Sequence, residues 1–81
     1  MKVRPKVSQQ YEARQFTKVD AASVALWCNG VLAADNLNCM RLVTADGALR
    51  IVEYGDWVLQ DEEGFYVCKQ DEFDYLYEEV K

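Results

Sequence analysis

Eighty-one residues, 51% of them hydrophobic and 28% charged, are typical of one globular domain over 1–81 rather than of a disordered chain. The formal net charge of −5 opposes direct binding to DNA, and no apolar stretch reaches the length of a membrane span. No apolar segment follows the basic start of the chain, so we expect no signal peptide and a cytoplasmic protein.

The first predicted elements are a strand within Val7–Thr17 and a helix over 21–29. Asp20 is a suitable N-cap for this helix, and Gly30 suits the left-handed position that ends it. The flanking valines have the spacing of a hydrophobic staple, Val19 and Val24. One apolar face follows from residues at i, i+3, i+4 and i+7, namely Val24, Trp27, Cys28 and Val31.

The rest of the chain predicts a loop, two hairpins, a helical turn and a last strand. The loop covers Val31–Asn38, and the first hairpin joins Cys39–Thr44 to Ala48–Tyr54 through an Asp-Gly turn. The later segments are Trp57–Gln60 paired with Phe65–Lys69, a helical turn over Gln70–Asp74, and a strand over Tyr75–Val80. The fold class is therefore α+β, in the order β-α-β-β-β-β, with one helix packed on a curved, mostly antiparallel sheet. The expected core anchors are Trp27 and Trp57.

The residues that carry catalysis or bind metals are scarce in this chain. Three cysteines (Cys28, Cys39 and Cys68) without a C-x-x-C pair and without any histidine predict buried, reduced thiols and no metal site. A cysteine nucleophile would lack a histidine base, and neither a P-loop nor G-x-G-x-x-G occurs. We expect no catalytic residues, no cofactor and no enzymatic activity.

Charge is divided unevenly along the chain. Residues 1–52 hold seven basic and four acidic residues, a balance of +3, whereas residues 53–81 hold two basic and ten acidic residues, a balance of −8. Such polarity can steer a charged partner to one face, although a solvated acidic surface that keeps the protein soluble is the simpler interpretation. The candidate acidic face consists of Asp61, Glu62, Glu63, Asp71 and Glu72. The basic alternative, which would meet a nucleotide beside tyrosines such as Tyr11, Tyr54 and Tyr66, consists of Arg4, Lys6, Arg14 and Lys69.

A motif in the C-terminal half carries a resemblance to known proteins. The run G-D-W-V-L-Q-D-E-E-G-F-Y-V-C-K-Q-D-E-F-D-Y-L-Y-E over 55–78 resembles short bacteriophage proteins of undefined role. These read P-G-D-W, two hydrophobic residues and an arginine, then a turn, then F-Y-x-C/V-K-P-D-x-F-x-x-x-Y-E. The strand Tyr11–Phe16 looks like the group's E-A-x-Q-aromatic strand. Three positions depart from the pattern: Tyr54 and Gln70 replace its prolines, and Gln60 replaces its arginine. The same residues also have structural interpretations: Gly55 permits a turn, Asp56 caps it, and Lys69 can pair with Asp71.

The resemblance implies a phage accessory protein in the host bacterial cytoplasm. We expect it to inhibit a host defence or host process by binding, either by masking the surface of a host protein or complex or by sequestering a nucleotide signal. The alternative is a structural or assembly accessory that contacts phage proteins only. Edge strands and the aromatic final strand make a homodimer a further expectation.

Overall fold

Two antiparallel sheets and two helices make up the residues that the computed structural model describes, 2–5, 11–33 and 38–79. The α+β class and the helix packed on an antiparallel sheet are confirmed. In chain order the elements are β1 (Lys2–Pro5), β2 (Tyr11–Gln15), α1 (Ala21–Cys28), β3 (Val31–Leu32), β4 (Cys39–Val43), β5 (Leu49–Glu53), β6 (Trp57–Gln60), β7 (Phe65–Cys68), α2 (Gln70–Leu76) and β8 (Tyr77–Glu79).

The strands divide into two sheets, where the sequence predicted one. The five-stranded sheet has the order β7-β6-β2-β1-β8, and the three-stranded sheet has the order β3-β4-β5. Both predicted hairpins form, but β3 lies inside the predicted loop and β1 precedes the first predicted strand. These two strands are short, so neither shows an alternating pattern, and they form because tertiary pairing supplies their partners.

Helix α1 has nearly the predicted bounds, but the residues that cap its two ends differ from the predicted ones. The Asp20 side chain makes no cap hydrogen bond; instead Thr17 Oγ1 accepts the Asp20 backbone N–H at 3.2 Å. Val19 is 91% exposed, so no hydrophobic staple forms. Asn29, with φ 58°, takes the left-handed position that was predicted for Gly30. Asn tolerates this conformation because its short polar side chain can bond locally.

The buried face of α1 is rotated slightly from the predicted one. Its buried residues are Ala21, Val24, Ala25 and Cys28, which again follow the i, i+3, i+4, i+7 pattern. Trp27 is only half-buried, and its ring meets the edge of Phe65 at a centroid distance of 5.3 Å. Val31, predicted on the same face, is exposed. Two of the four buried residues are alanines, so the buried face of α1 is built from small side chains.

The five-stranded sheet separates two hydrophobic clusters, one on each face. Neighbouring residues of β6 show the division, since Val58 and Leu59 point to opposite faces and belong to different clusters. The inner cluster, shared with α1 and the three-stranded sheet, comprises Phe16, Ala21, Val24, Ala25, Cys28, Met40, Leu42, Val52 and Val58. The outer cluster comprises Val3, Ala13, Leu59, Cys68 and Phe73, with Tyr11, Trp57, Tyr66 and Tyr77 packed half-buried against it.

The C-terminal elements differ from the predicted turn and strand. Helix α2 extends to Leu76, so Tyr75 and Leu76 are helical and exposed rather than part of the last strand. Strand β8 then begins at Tyr77 and pairs with β1. Val80, the end of the predicted strand, lies outside the described residues. The C-terminal segment is helical here because the buried ring of Phe73 holds α2 over the outer face of the sheet.

Candidate functional site

The predicted acidic residues lie at the two ends of β7. Asp61, Glu62 and Glu63 form the turn before it, and Asp71 and Glu72 lie in the first turn of α2 after it. Four strand residues span roughly 13 Å, so these are two separate groups and not one continuous face. Carboxylates at a helix N-terminus are stabilised by the helix dipole, which gives Asp71 and Glu72 a structural role as well.

The turn before β7 is organised by one of its own carboxylates. Asp61 Oδ1 accepts the backbone N–H of Glu63 at 2.8 Å and that of Gly64 at 3.2 Å. This local bonding is the reason Asp residues favour such turns. It leaves Glu62 and Glu63 exposed at the tip. Of the three predicted acids, Asp61 therefore builds the turn and the two glutamates face solvent.

Three tyrosines contact one another on the outer face of the sheet, and one of them, Tyr66, is hydrogen-bonded to Asp61 of this turn. Tyr11 contacts Tyr66 and Tyr77 edge to face, each at a ring-centroid distance of 6.0 Å. Burial, the hydrogen bond to Asp61, and the charges of Asp61 and Glu63 together raise the pKa of the Tyr66 hydroxyl. We name this group the tyrosine–carboxylate face: Tyr11, Tyr66, Tyr77, Asp61 and Glu63. The sequence indicated Tyr11 and Tyr66 as stacking surfaces but missed Tyr77, which reaches the group only through the pairing of β8 with β1.

An ion pair between buried Asp56 and half-exposed Lys69 joins the two halves of the C-terminal motif. Asp56 is 5% exposed, and its Oδ2 accepts the Glu53 backbone N–H and a Lys69 Nζ–H, each at 3.0 Å. Lys69 Nζ also lies 3.7 Å from Glu53 Oε1. The hydrogen bond to Asp56 raises the pKa of Lys69 against the opposing effect of desolvation, with help from both carboxylate charges. The predicted capping by Asp56 is confirmed, whereas the predicted partner Asp71 is wrong, since Lys69 pairs with Asp56 and Glu53.

The other motif residues complete the same structural link. Trp57 stacks on Phe73 at 3.9 Å between ring centroids with 8° between the ring planes. Gly55, at φ 97°, lies against the Gln70 side chain, where a Cβ would collide. The G-D-W residues and the K-Q-D-E-F residues therefore fasten α2 to the start of β6. Around them Glu53, Asp71 and Asp74 line an open concave surface.

The basic alternative is not gathered into a site by the described residues. Arg14 lies over the Trp27 ring, 4.6 Å from its centroid, on the α1 side of the sheet. Lys69 is bound to Asp56 and Glu53 at the end of β7. For Arg4 only the backbone is described, in β1, and Lys6 lies outside the described residues. Arg14 and Lys69 thus have different partners inside the protein.

The three cysteines are free thiols. Cys28 and Cys68 are buried, one in each cluster, and Cys39 is half-buried. Burial raises the pKa of Cys28, and burial followed by the carboxylates of Glu72, Asp56 and Asp71 raises the pKa of Cys68 to about 11. Across residues 2–5, 11–33 and 38–79, no three His, Cys, Asp or Glu residues are grouped to hold a metal ion. Nor does this part of the chain contain a helix with the length and apolar character to cross a membrane.

Comparison with protein-family models, curated proteins and solved structures returned no match to this chain.

Proposed function

We propose that this chain is a phage accessory protein that binds, without catalysis, to a basic surface of a host protein in the bacterial cytoplasm and thereby inhibits a host process. The tyrosine–carboxylate face is the binding surface. The observation that carries the proposal is the contact of Tyr11 and Tyr66 with each other beside Asp61 and Glu63. The resemblance of residues 55–78 to short bacteriophage proteins supports the phage setting.

Rings and carboxylates together suit lysine and arginine side chains. A cation over an aromatic ring gains roughly 0.5–1 kcal/mol at an exposed site, and more when water is excluded. Carboxylates at hydrogen-bond distance add charge-assisted bonds to the same cation. Tyrosine also loses little conformational freedom on binding and is enriched among the residues that dominate interfaces. A surface with planar rings beside negative groups has the chemistry of a nucleic acid, so a nucleic-acid-binding surface of the host is the partner that it fits.

Internal pairing favours the acidic face over the basic alternative. Lys69 is held by Asp56 at 3.0 Å, and Arg14 lies on Trp27, so each cation already has a partner. A phosphate ligand would have to displace these contacts. Glu62 and Glu63 are exposed, by contrast, and neither forms an ion pair with another residue of the part of the chain that the structure describes.

Affinity capture from phage-infected host cells, followed by binding measurements with the captured protein, tests this proposal. The double reversal Glu62→Lys with Glu63→Lys should weaken binding at least tenfold. The matched control, Asp71→Lys with Asp74→Lys, changes charge equally in helix α2 and should weaken it less than threefold. Affinity should also fall steeply as salt rises, because exposed charges are screened beyond about 8 Å at physiological ionic strength.

Three results would count against the proposal. Equal losses from the two reversals would mean that net charge, rather than this face, drives binding. If neither reversal changed the binding affinity, the acidic residues would serve solubility alone. Capture of phage proteins only would favour the structural or assembly role instead.

A further inference from the structure

A cavity of about 380 Å³ lies between the two sheets, where β5 and β7 face each other without pairing. Consecutive residues on each strand line it, Arg50 with Ile51 and Tyr66 with Val67. Successive side chains of a strand point to opposite faces, so a cavity that touches both members of each pair lies at the strand edge. The cavity is therefore a cleft between two backbone edges.

The edge of β5 presents unpaired backbone groups at Ile51. Its hairpin begins with the hydrogen bond from Thr44 N–H to Ala48 O at 2.9 Å and ends with that from Tyr54 N–H to Asn38 O at 3.3 Å. Hydrogen-bonded pairs alternate along an antiparallel ladder, so every second residue of β5 directs its N–H and C=O away from β4. Ile51 is one of these residues, and it is paired in register without being hydrogen-bonded to β4.

The edge of β7 presents the same groups at Val67. The hydrogen bond from Asp61 N–H to Gly64 O at 3.0 Å closes the hairpin of β6 and β7. Alternation then assigns the ladder bonds of β7 to Tyr66 and Cys68 and turns the backbone of Val67 outward. Because β7 is an edge strand of its sheet, these outward groups face the cleft.

Contacts connect the β5 and β7 sides near each end of the cleft. At one end Ala45 N–H donates to Phe65 O at 2.9 Å. At the other end Lys69 lies 3.7 Å from Glu53, whose own N–H and C=O are both bonded to Asp56 at 3.0 Å. Because the starts of β5 and β7 are connected to each other and so are their ends, the two strands run in the same direction. The two contacts are separated by roughly 13 Å along β7.

We propose that this cleft binds a short extended segment of a partner protein, which adds as a strand antiparallel to both β5 and β7. Its backbone pairs with the outward N–H and C=O groups of Ile51 on one side and of Val67 on the other, as in recognition by strand addition. The proposal goes beyond the tyrosine–carboxylate face, although Tyr66 belongs to both surfaces.

Charge selects the kind of segment. The two cations that line the cleft are already paired, Arg50 with Asp46 at 3.8 Å and Lys69 with Asp56 at 3.0 Å. Glu72 also lines the cleft and makes no ion pair with any residue of 2–5, 11–33 or 38–79. An extended segment that carries a lysine or arginine near Glu72 is therefore the occupant that fits.

Amide hydrogen exchange and amide chemical shifts test the cleft on the unmodified protein. In the dilute free protein the amides of Ile51 and Val67 should exchange at least tenfold faster than that of Val52, which is bonded to β4. Peptides selected from a displayed library of random linear sequences should protect and shift the Ile51 and Val67 amides and should be enriched in lysine or arginine. Slow exchange of either amide in the dilute free protein, or selected peptides that shift other amides, would overturn the proposal. Protection that grows with protein concentration would make a second copy the occupant and would equally overturn it.

Two pairs of variants separate backbone pairing from side-chain contact. Ile51→Pro and Val67→Pro remove one outward N–H each and leave the ladders to β4 and β6 intact, and each should weaken the selected peptides at least tenfold. Ile51→Ala and Val67→Ala trim the side chain, keep the N–H, and should weaken them less than threefold. Larger losses from alanine than from proline would overturn strand addition. Glu62→Lys with Glu63→Lys should leave peptide affinity within threefold, so the cleft and the tyrosine–carboxylate face can fail separately.

Discussion

The inner and outer clusters lie on opposite faces of one sheet but differ in how many side chains they bury. The inner cluster has nine buried side chains, of which only Phe16 is aromatic, and three further rings pack half-buried at its margin, Trp27, Tyr54 and Phe65. The outer cluster has only five buried side chains, and all four of its half-buried neighbours are aromatic, three tyrosines and Trp57. Removal of apolar area from water stabilises the fold, whereas half-buried rings with polar edges can still meet a partner. We therefore expect the inner cluster to contribute more to stability, and we propose that the outer face is the one that meets a partner.

Replacing Phe16 by alanine should have the largest effect on stability. Its ring is fully buried in the inner cluster, and truncating a buried phenylalanine costs about 3–5 kcal/mol. Denaturant unfolding followed by circular dichroism measures the loss. Val19→Ala, at a site that is 91% exposed, is the control and should change the free energy of unfolding by less than about 0.5 kcal/mol. A loss below about 1 kcal/mol for Phe16→Ala would contradict the view that the inner cluster carries most of the stability.

The two buried thiols report which cluster opens first. A thiol with a pKa of about 11, as for Cys68, is ionised about 100-fold less at pH 8 than one with a pKa of 9.0. Alkylation of Cys68 at pH 8, followed by mass spectrometry, should therefore be at least 100-fold slower than that of free cysteine. In urea below the unfolding midpoint we expect Cys68 to react before Cys28, because the rings around it are only half-buried. The reverse order would show that the outer cluster is the more stable one.

Asp56→Ala should cost about 2 kcal/mol, because it removes the acceptor of a backbone N–H and leaves Lys69 without its nearest partner. Asp71→Ala, at an exposed site in the same motif, is the matched control and should cost less than about 0.5 kcal/mol. Equal losses would mean that the motif's carboxylates act only through helix α2. The experiment asks whether the outer cluster depends on the ion pair that fastens its helix.

The smallest expected effect is a pH dependence above neutrality. The pKa of Lys69 is raised in the folded protein from its ordinary value of 10.5, so the stabilisation is complete below pH 10.5 and is lost as pH rises through the folded value. The difference in unfolding free energy between the wild type and Lys69→Gln should be constant from neutral pH to about pH 10 and should shrink above that. A difference that grows at high pH would reverse the assigned sign. The effect is small because the Lys69 side chain is half exposed.

Local signals predicted the local structure of this chain. Asp46-Gly47 and the acidic turn before Phe65 indicated both hairpins, and the apolar spacing around Val24 indicated α1. Features that depend on long-range pairing escaped prediction. The division into two sheets depends on which edges pair, and the alternating pattern of a strand does not name its partner. The Asp56–Lys69 bond likewise joins residues 13 apart in the chain, across a hairpin whose geometry brings them together.

The sequence predicted only the local part of the candidate site, because the rest depends on long-range strand pairing. Asp61, Glu62 and Glu63 were recognisable as an acidic turn from composition alone. Their position beside Tyr11 requires the pairing of β2 with β6 and of β6 with β7, and the inclusion of Tyr77 requires β8 to pair with β1. A tyrosine on a short strand carries no sign of which rings it will touch.

The pairing of β1 with β8 has a consequence for the order in which the chain folds. Val3 lies opposite Glu79, so this edge of the five-stranded sheet joins segments from nearly opposite ends of the sequence. Closing so long a loop carries an entropic cost that must be met before its contacts form, whereas the β4-β5 and β6-β7 hairpins need only short loops. We therefore expect the hairpins to form early and β1 to dock late. The tyrosine–carboxylate face, which includes Tyr77 of β8, would then be completed only in the last step of folding.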